Sequence, residues 1–304
     1  MWAVSRYTSA SHTEGRAVGS PLLSRLIAPF FVIIWSTGFV VARFGLPYAE
    51  PMTFLAARFA GVLAVMVPLS FLLSIQWPGR RESLHVAVAG VLLQAGYLGG
   101  VWTAIHQGMG AGLAALVVGL QPLLTGVAGR WMGEAPSMRQ WIGLALGFLG
   151  VALVVENRLG GDGLTWQALA FAVGALVSIT AGTIYQRRFC PGVDLRAGLV
   201  LQFAASLAVV APAAWVFETM QVEWTWSFVG AWAWSVFALS IGAICLLFLL
   251  IRRGAATRVA SLMYLTPTVT ALMAWAAFDE PLTLTMLAGM AISAFAVAWT
   301  QGKR

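Results

Sequence analysis

The chain reads Gln121-Pro122-Leu123-Leu124-Thr125 and then Glu134-Ala135-Pro136, and it repeats this pattern as Thr266-Pro267-Thr268-Val269-Thr270 and then Glu280-Pro281. The two prolines lie 145 residues apart, and the two glutamates lie 146 residues apart. Similarity at a nearly constant separation is the signature of an internal repeat. We therefore interpret the chain as two copies of one structural unit.

The composition indicates what kind of unit is repeated. Of 304 residues, 60% are hydrophobic and only 10% are charged, and the mean hydropathy is +0.85. Soluble globular chains are about 45–50% apolar and about 25% charged. A cytosolic enzyme, a disordered chain and a secreted disulfide scaffold are therefore excluded. The two cysteines, Cys190 and Cys245, form no metal-ligand spacing, and we expect an all-α polytopic membrane protein with no metal and no cofactor.

Apolar runs long enough to cross a bilayer recur along the chain. A bilayer core of about 30 Å requires about 20 helical residues. We predict ten transmembrane helices, near residues 26–46, 52–75, 84–106, 110–131, 138–156, 164–186, 196–218, 227–251, 256–277 and 282–300. They form two five-helix repeats, 26–156 and 164–300, after a disordered cytoplasmic leader at 1–25. Because each repeat has an odd number of spans, the second enters from the opposite face, an arrangement that recurs in secondary transporters.

The basic residues predict the orientation of these spans. Apart from Arg58, which lies inside a predicted span, 15 lysines and arginines fall on the side of the N-terminus and only Arg43 and Arg158 on the other. Cytoplasmic loops carry the excess of basic residues in membrane proteins. We therefore expect a multi-pass protein of the cell (inner) membrane with both termini in the cytoplasm. The pI near 10.2 is explained in this way without nucleic-acid binding.

Several local sequences resemble one transporter family. Predicted helix four carries Leu120-Gln121-Pro122-Leu123 followed by Gly133-Glu134, and helix nine carries Leu265-Thr266-Pro267. Trp35 opens a Trp-Ser-x-Gly stretch in helix one, and Arg58 lies in helix two. In this order and spacing they resemble the EamA family of the drug/metabolite transporter (DMT) superfamily. The resemblance implies ten helices around a central cavity, lined mainly by helices 1, 3, 4, 6, 8 and 9, and export of amino acids and related metabolites.

The side chains that bind a substrate are expected to be mostly neutral. None of the 11 carboxylates lies deep in a predicted span, which disfavours exchange of an organic cation for protons. Buried amide, hydroxyl and phenol groups need a partner, either a neighbouring helix or a ligand. The substrate-binding candidates of this kind are Trp35, Ser36, Gln94, Tyr97, Gln121, Tyr185 and Tyr264. Arg58, about 10 Å deep at about 1.5 Å per residue, either holds a substrate carboxylate or snorkels and satisfies helix carbonyls.

Two prolines and one histidine are candidates for the moving parts. Pro122 and Pro267 occupy matching positions, and each removes a helical hydrogen bond, so they act either as hinges or as static kinks. His106, at the end of predicted helix three, is a candidate for proton coupling, with a side chain that merely faces water as the alternative.

Small residues predict a helix contact. The offset of 146 maps Gly143-x-x-x-Gly147 onto Gly289-x-x-x-Ser293. Small residues spaced by four let two membrane helices approach closely. The pattern favours a contact inside one chain, with a homodimer face as the alternative.

These features favour a secondary transporter that moves small amphipathic metabolites such as amino acids by alternating access, with export as the expected direction. The chain lacks the Gly-x-x-x-x-Gly-Lys loop of ATP-driven transporters. It also has no embedded acid that would complete a catalytic triad, so no catalytic residue is predicted. The alternatives are efflux of drugs or organic cations, or a membrane enzyme or subunit that transports nothing. The expected partners are the small-molecule substrate and the lipid bilayer.

The orientation leads to a prediction for reporter fusions. A fusion after Gly302 and a fusion within residues 76–83 should both report a cytoplasmic position, and a fusion at Asp162 should report the outer side, because basic loops stay in the cytoplasm. The paired activities of an alkaline phosphatase and a fluorescent reporter measure this. An outward report at Gly302 would contradict the even number of spans.

Overall fold

The computed structural model describes residues 21–73, 75–132, 136–156, 164–243, 246 and 265–301. Their regular structure is helical, with one isolated bridge between Ala49 and Val222. Six helical segments are long and apolar enough to cross a membrane: Pro51–Leu72, Arg80–His106, Ala111–Ala128, Met138–Glu156, Trp166–Phe189 and Leu195–Phe217. Shorter apolar helices lie at Pro29–Gly45, Trp226–Gly242 and Leu284–Trp299. The chain is therefore a multi-pass membrane protein whose described residues form helices.

We number the α-helices of the described residues in chain order. They are α1 (Pro21–Gly45), α2 (Pro51–Leu72), α3 (Arg80–Gly90), α4 (Tyr97–His106), α5 (Ala111–Val118), α6 (Gln121–Ala128), α7 (Met138–Glu156), α8 (Trp166–Phe189), α9 (Leu195–Phe217), α10 (Trp226–Trp234), α11 (Thr266–Phe278) and α12 (Leu284–Gln301). A first π segment, Val91–Gly96, joins α3 to α4, and a second π segment, Ser235–Gly242, continues α10. A short 3-10 turn, Gly129–Met132, follows α6.

The described helices differ from the predicted spans in two places, and two further spans are only partly described. The described part of α1 starts at Pro21, so residues 21–25, which the prediction assigned to the leader, are helical. The fourth predicted span consists of two helices, α5 and α6. The predicted spans 227–251 and 256–277 run into residues 247–264, which lie outside the described residues.

Both repeated prolines stand at the start of a helix. Pro122 is in the first turn of α6 and Pro267 in the first turn of α11. Leu120 and Leu265, the residues directly before these two helices, have nearly the same backbone angles. They are φ −75° and ψ −9° at Leu120, and φ −81° and ψ −10° at Leu265. A proline at this position leaves no donor unsatisfied. The two copies therefore begin these helices in the same way.

The two helix starts also meet each other. A Cβ atom on Gly119, beside the start of α6, would lie 2.8 Å from Cγ of Pro267. Only a residue without a side chain allows this approach. The same contact places α5 against α11.

Close packing between the copies joins α7 to α12. A Cβ atom on Gly289 would lie 2.5 Å from the carbonyl oxygen of Gly150, and Ser293 Oγ donates to the carbonyl of Gly147 at 3.4 Å. Gly147 and Ser293 are the residues related by the offset of 146. The small-residue pattern therefore forms a contact inside this chain, while a homodimer face stays a prediction.

This packing predicts opposite effects for two glycine substitutions. Gly289→Ala should lower the free energy of unfolding by about 1–3 kcal/mol, the usual cost of overpacking, because its methyl group would also lie 2.5 Å from Val154 Cγ2. Gly174→Ala on α8 is the matched control, since nothing lies within 4 Å of its added methyl group. There the free energy should rise by about 0.5–1 kcal/mol, as expected for glycine to alanine in a helix. Unfolding of both variants in detergent measures the difference, and equal stabilities would contradict the packing.

Candidate functional site

A cavity of about 280 Å³ lies between the helices of the two copies. It is bordered by α1, α2 and the α3–α4 region on one side and by α8, α9 and the second π segment on the other. Its wall is mainly apolar and aromatic. The charged, amide, phenol and serine side chains on the wall are Arg58, Gln94, Tyr97, Gln186, Asp194, Gln202 and Ser240. An apolar wall with few polar groups is typical of sites that bind small organic molecules.

Both π segments form part of this wall. The first contributes Gln94 and the second contributes Ser240, and the segments begin 144 residues apart. A π turn widens a helix and is frequent at functional sites. A serine hydroxyl donates to a main-chain carbonyl of each segment: Ser178 Oγ, from α8, to Leu92 at 2.8 Å, and Ser240 Oγ, within the second segment, to Ser235 at 2.9 Å. The two copies therefore face the cavity with the same irregular backbone.

Arg58 is the buried charge of the cavity. Its residue is 5% exposed, so the side chain does not snorkel to the surface. Its Nε donates to Ser240 Oγ at 3.1 Å. Because the hydroxyl of Ser240 donates to the Ser235 carbonyl, its oxygen is left to accept from Arg58. The second π segment thus fixes one edge of the guanidinium group.

Four of the eight predicted substrate-binding residues line the cavity: Trp35, Arg58, Gln94 and Tyr97. Tyr264 lies outside the described residues. Sequence reasoning missed Gln202 and Ser240. A single amide in the otherwise apolar run of α9 was the available signal for Gln202, whereas Ser240 stands in a run whose sequence does not distinguish a π segment from an α-helix.

The three other binding candidates that the structure describes lie outside the cavity wall. Gln121 Nε2 donates to Thr183 Oγ1 at 3.3 Å, which ties α6 to α8. The hydroxyl of Tyr185 lies 2.8 Å from Nδ1 of His85. Ser36 is fully buried, and its Oγ has no hydrogen-bond partner among the described residues. All three are part of helix contacts in this conformation.

The three candidates for moving parts also lie outside the wall. Pro122 and Pro267 stand at the helix starts described above. His106 ends α4 and is exposed.

Carboxylates close one end of the molecule, which we call the closed end and define by Arg43, Glu50, Glu218 and Glu280. Glu280 pairs with Arg43 and accepts from the main-chain N–H of Ala111 at 3.0 Å, at the start of α5. Negative charge is favourable at a helix N-terminus. Glu280, in the α11–α12 connection, therefore joins that connection to α1 and α5.

A carboxylate that accepts from a helix N-terminus also joins α2 to α9. Glu218 accepts from the main-chain N–H groups of Met52 and Thr53 at 2.8 and 2.7 Å, at the start of α2. Glu50 accepts from the main-chain N–H and the hydroxyl of Thr219, both at 2.6 Å. These hydrogen bonds lower the pKa of Glu50, the side-chain bond most strongly. The contact between Glu50 and Thr219 therefore contributes fully at pH values above the ordinary carboxyl pKa. It is lost only as the pH falls through the lowered pKa of Glu50.

An aromatic cluster separates the cavity from the closed end. Phe54 packs against Trp102 with ring centroids 4.4 Å apart and against Phe228 at 5.3 Å. All three residues are at most 1% exposed. Trp102 lines the cavity, so this cluster forms its inner limit.

The opposite end of the cavity reaches the surface at the α8–α9 connection, which we call the open end and define by residues 190–195. Leu195 there is exposed and lines the cavity. Asp194, the carboxylate on the wall, accepts from Arg196 Nη2 at 2.8 Å and Nε at 3.1 Å. This side-chain bonding is the largest of the effects that hold the pKa of Asp194 below its usual range. Among the described residues, the cavity is thus bounded by the aromatic cluster at one end and reaches the surface at the other.

Membrane-crossing helices around a solute-sized cavity with one open end define a class of protein, the membrane transporters. The profile of the EamA-like transporter family matches residues 24–156 and 166–301, one match in each half. This chain belongs to the EamA-like transporter family, and the resemblance seen in the sequence is confirmed.

Known proteins with similar sequences are transporters by name. The chain is 30% identical over 270 residues to "Uncharacterized transporter YvbV" of Bacillus subtilis (strain 168), covering 87% of each chain. It is 28% identical to "Uncharacterized inner membrane transporter YedA" of Escherichia coli (strain K12), covering 91% of this chain and 89% of YedA. It is 24% identical to "Probable amino-acid metabolite efflux pump" of the same strain, covering 90% and 95%. The family and these relatives are transporters and not enzymes.

A solved structure has the same fold. One protein crystal structure superposes with a TM-score of 0.65 at 20% sequence identity and covers 93% of this chain and 97% of its own.

Proposed function

We propose that this protein is a secondary transporter that moves small amphipathic metabolites, such as amino acids, across the membrane by alternating access. The observation that carries the proposal is a cavity between the two copies that, among the described residues, is bounded at one end by an aromatic cluster and carboxylate contacts and reaches the surface at the other. A substrate site between inverted repeats is the arrangement that alternating access requires.

The orientation follows from the distribution of basic residues. We propose ten membrane spans in two inverted five-helix repeats, 26–156 and 164–300, with both termini in the cytoplasm. The open end, at residues 190–195, then faces the cytoplasm, where an exporter loads its substrate. The name of the related efflux pump of Escherichia coli supports this direction.

The residue roles follow from position. Trp35, Gln94, Tyr97 and Arg58 contact the substrate, since all four line the cavity. Pro122 and Pro267 act as hinges, because each stands at a helix start where the two copies meet. His106, exposed at the end of α4, takes part in proton coupling.

Efflux of organic cations is the less favoured function. The wall contains the guanidinium of Arg58. The carboxylate of the described wall, Asp194, is already paired with Arg196. A cation in the cavity would lose its hydration and meet a like charge.

A growth assay with a cavity-filling variant tests the proposal. In a bacterial strain that expresses the protein, the wild type should raise the tolerated concentration of toxic amino-acid analogues, and Gly38→Leu should abolish this effect. Gly38 lines the cavity, and an added Cβ atom there meets only the Leu239 side chain at 3.8 Å, so the variant fills the cavity without disturbing the backbone.

Gly174→Leu is the matched control, because it places the same side chain on α8 where an added Cβ atom meets nothing within 4 Å. It should behave as the wild type. If quaternary ammonium compounds are the solutes to which the wild type gives tolerance, the protein exports organic cations instead. If Gly38→Leu retains full tolerance, the cavity is not the transport route.

A further inference from the structure

The charge of Arg58 is only partly compensated. A guanidinium group has five N–H donors, and among the described residues the hydrogen-bond acceptor of Arg58 is Ser240, a neutral hydroxyl. The terminal nitrogens of Arg58 are not among the fully buried side-chain atoms that lack a hydrogen-bond partner. Because Arg58 lines the cavity, these donors border its open space. A buried cation without a counter-charge is costly. The cavity therefore offers a positive, forked donor group to whatever enters it.

No carboxylate of the described wall lies beside Arg58 to pair with a positive group. Asp194 is the carboxylate among the described wall residues, and it stands at the open end. Its two oxygens are bonded to the side chain of Arg196 and to a main-chain N–H. An ammonium group placed near Arg58 would therefore lose its hydration without gaining a carboxylate.

The remainder of the wall suits an apolar body. The rings of Trp35, Tyr97 and Trp102 border the same space as Arg58. A volume of about 280 Å³ lies at the lower limit of ordinary small-molecule sites, which span about 300–1,000 Å³. A compact solute with one ring or one branched chain matches this space.

We propose that the cavity selects organic monocarboxylates without a free ammonium group, such as N-acylated amino acids and simple aromatic or branched acids, and that Arg58 binds the carboxylate. This inference rests on the proposed transport function and specifies its substrate class. A planar guanidinium can hold a carboxylate through two parallel hydrogen bonds. Zwitterionic amino acids are also transported, but with lower apparent affinity, because no carboxylate of the described wall lies beside Arg58 to pair with their ammonium group.

Four phenylalanine derivatives that differ in charge test the selection. The purified full chain in proteoliposomes should exchange N-acetyl-L-phenylalanine, an anion, at the lowest half-saturation concentration. L-Phenylalanine, a zwitterion, neutral N-acetyl-L-phenylalaninamide and cationic L-phenylalaninamide should each require about tenfold more or higher, and tenfold corresponds to about 1.4 kcal/mol.

Variants of Arg58 test the ligand. Arg58→Gln should raise the half-saturation concentration for the anion about tenfold or more and leave the neutral amide nearly unchanged. Arg58→Lys, which keeps the charge but loses the fork, should fall between. Arg139→Gln is the matched control, because Arg139 contacts the Trp299 ring away from the cavity and should leave all four values unchanged. If Arg58→Gln does not fold, the wild-type series and Arg58→Lys still decide the question.

The outcomes separate this inference from the transport function. Exchange of L-phenylalanine at or below the concentration needed for the acetylated anion would overturn the monocarboxylate selection and leave the transport function standing. Equal losses for the anion and the neutral amide in Arg58→Gln would overturn Arg58 as the carboxylate ligand. Absence of exchange for all four compounds would overturn the selection, and the growth assay with Gly38→Leu would then decide on transport by itself.

Discussion

The carboxylate of Glu280 is the contact on which this conformation depends. It reaches Arg43 on α1 and the main-chain N–H groups at the start of α5, and it stands two residues after the end of α11. Helix starts and arginine both favour a negative partner, so one side chain holds elements from both copies together. Glu218 does the same for α2 and α9. These contacts all lie at the closed end, whereas among the described residues the cavity meets the surface at residues 190–195.

The two copies use the same backbone irregularities, and these irregularities surround the cavity. Each copy begins a helix with a proline in its first turn, and each carries a π segment at nearly the same offset. A regular helix commits its main-chain groups to itself, whereas a helix start or a π turn leaves donors and acceptors for other partners. The contact of Gly119 with Pro267 couples the two starts. A movement of one copy against the other therefore acts on the part of the structure where the regular hydrogen bonding is already interrupted.

The sequence predicted most of the described helices. Half of the binding residues that it predicted line the cavity. Trp35, Arg58, Gln94 and Tyr97 could be found because a polar or amphipathic side chain in an apolar run is costly unless it has a partner. The same rule cannot say which partner is present. Gln121 and Tyr185 satisfy it through Thr183 and His85, outside the cavity wall. The π segments were not predictable, since α and π turns have the same apolar composition, and the contacts of Glu280 depend on tertiary packing.

The most direct test of alternating access is labelling of a single cysteine in the cavity from each side of the membrane. With both native cysteines replaced by serine, Gly38→Cys should react with a membrane-impermeant maleimide quickly through the open end and slowly through the closed end. Adding Glu280→Gln should raise the closed-end rate about two- to fivefold, as expected for loss of a partly exposed ion pair of about 0.5–1 kcal/mol. Glu156→Gln, at the exposed end of α7, should leave the rate unchanged. Equal rates from both sides before Glu280 is changed, or no response to Glu280→Gln, would contradict the account.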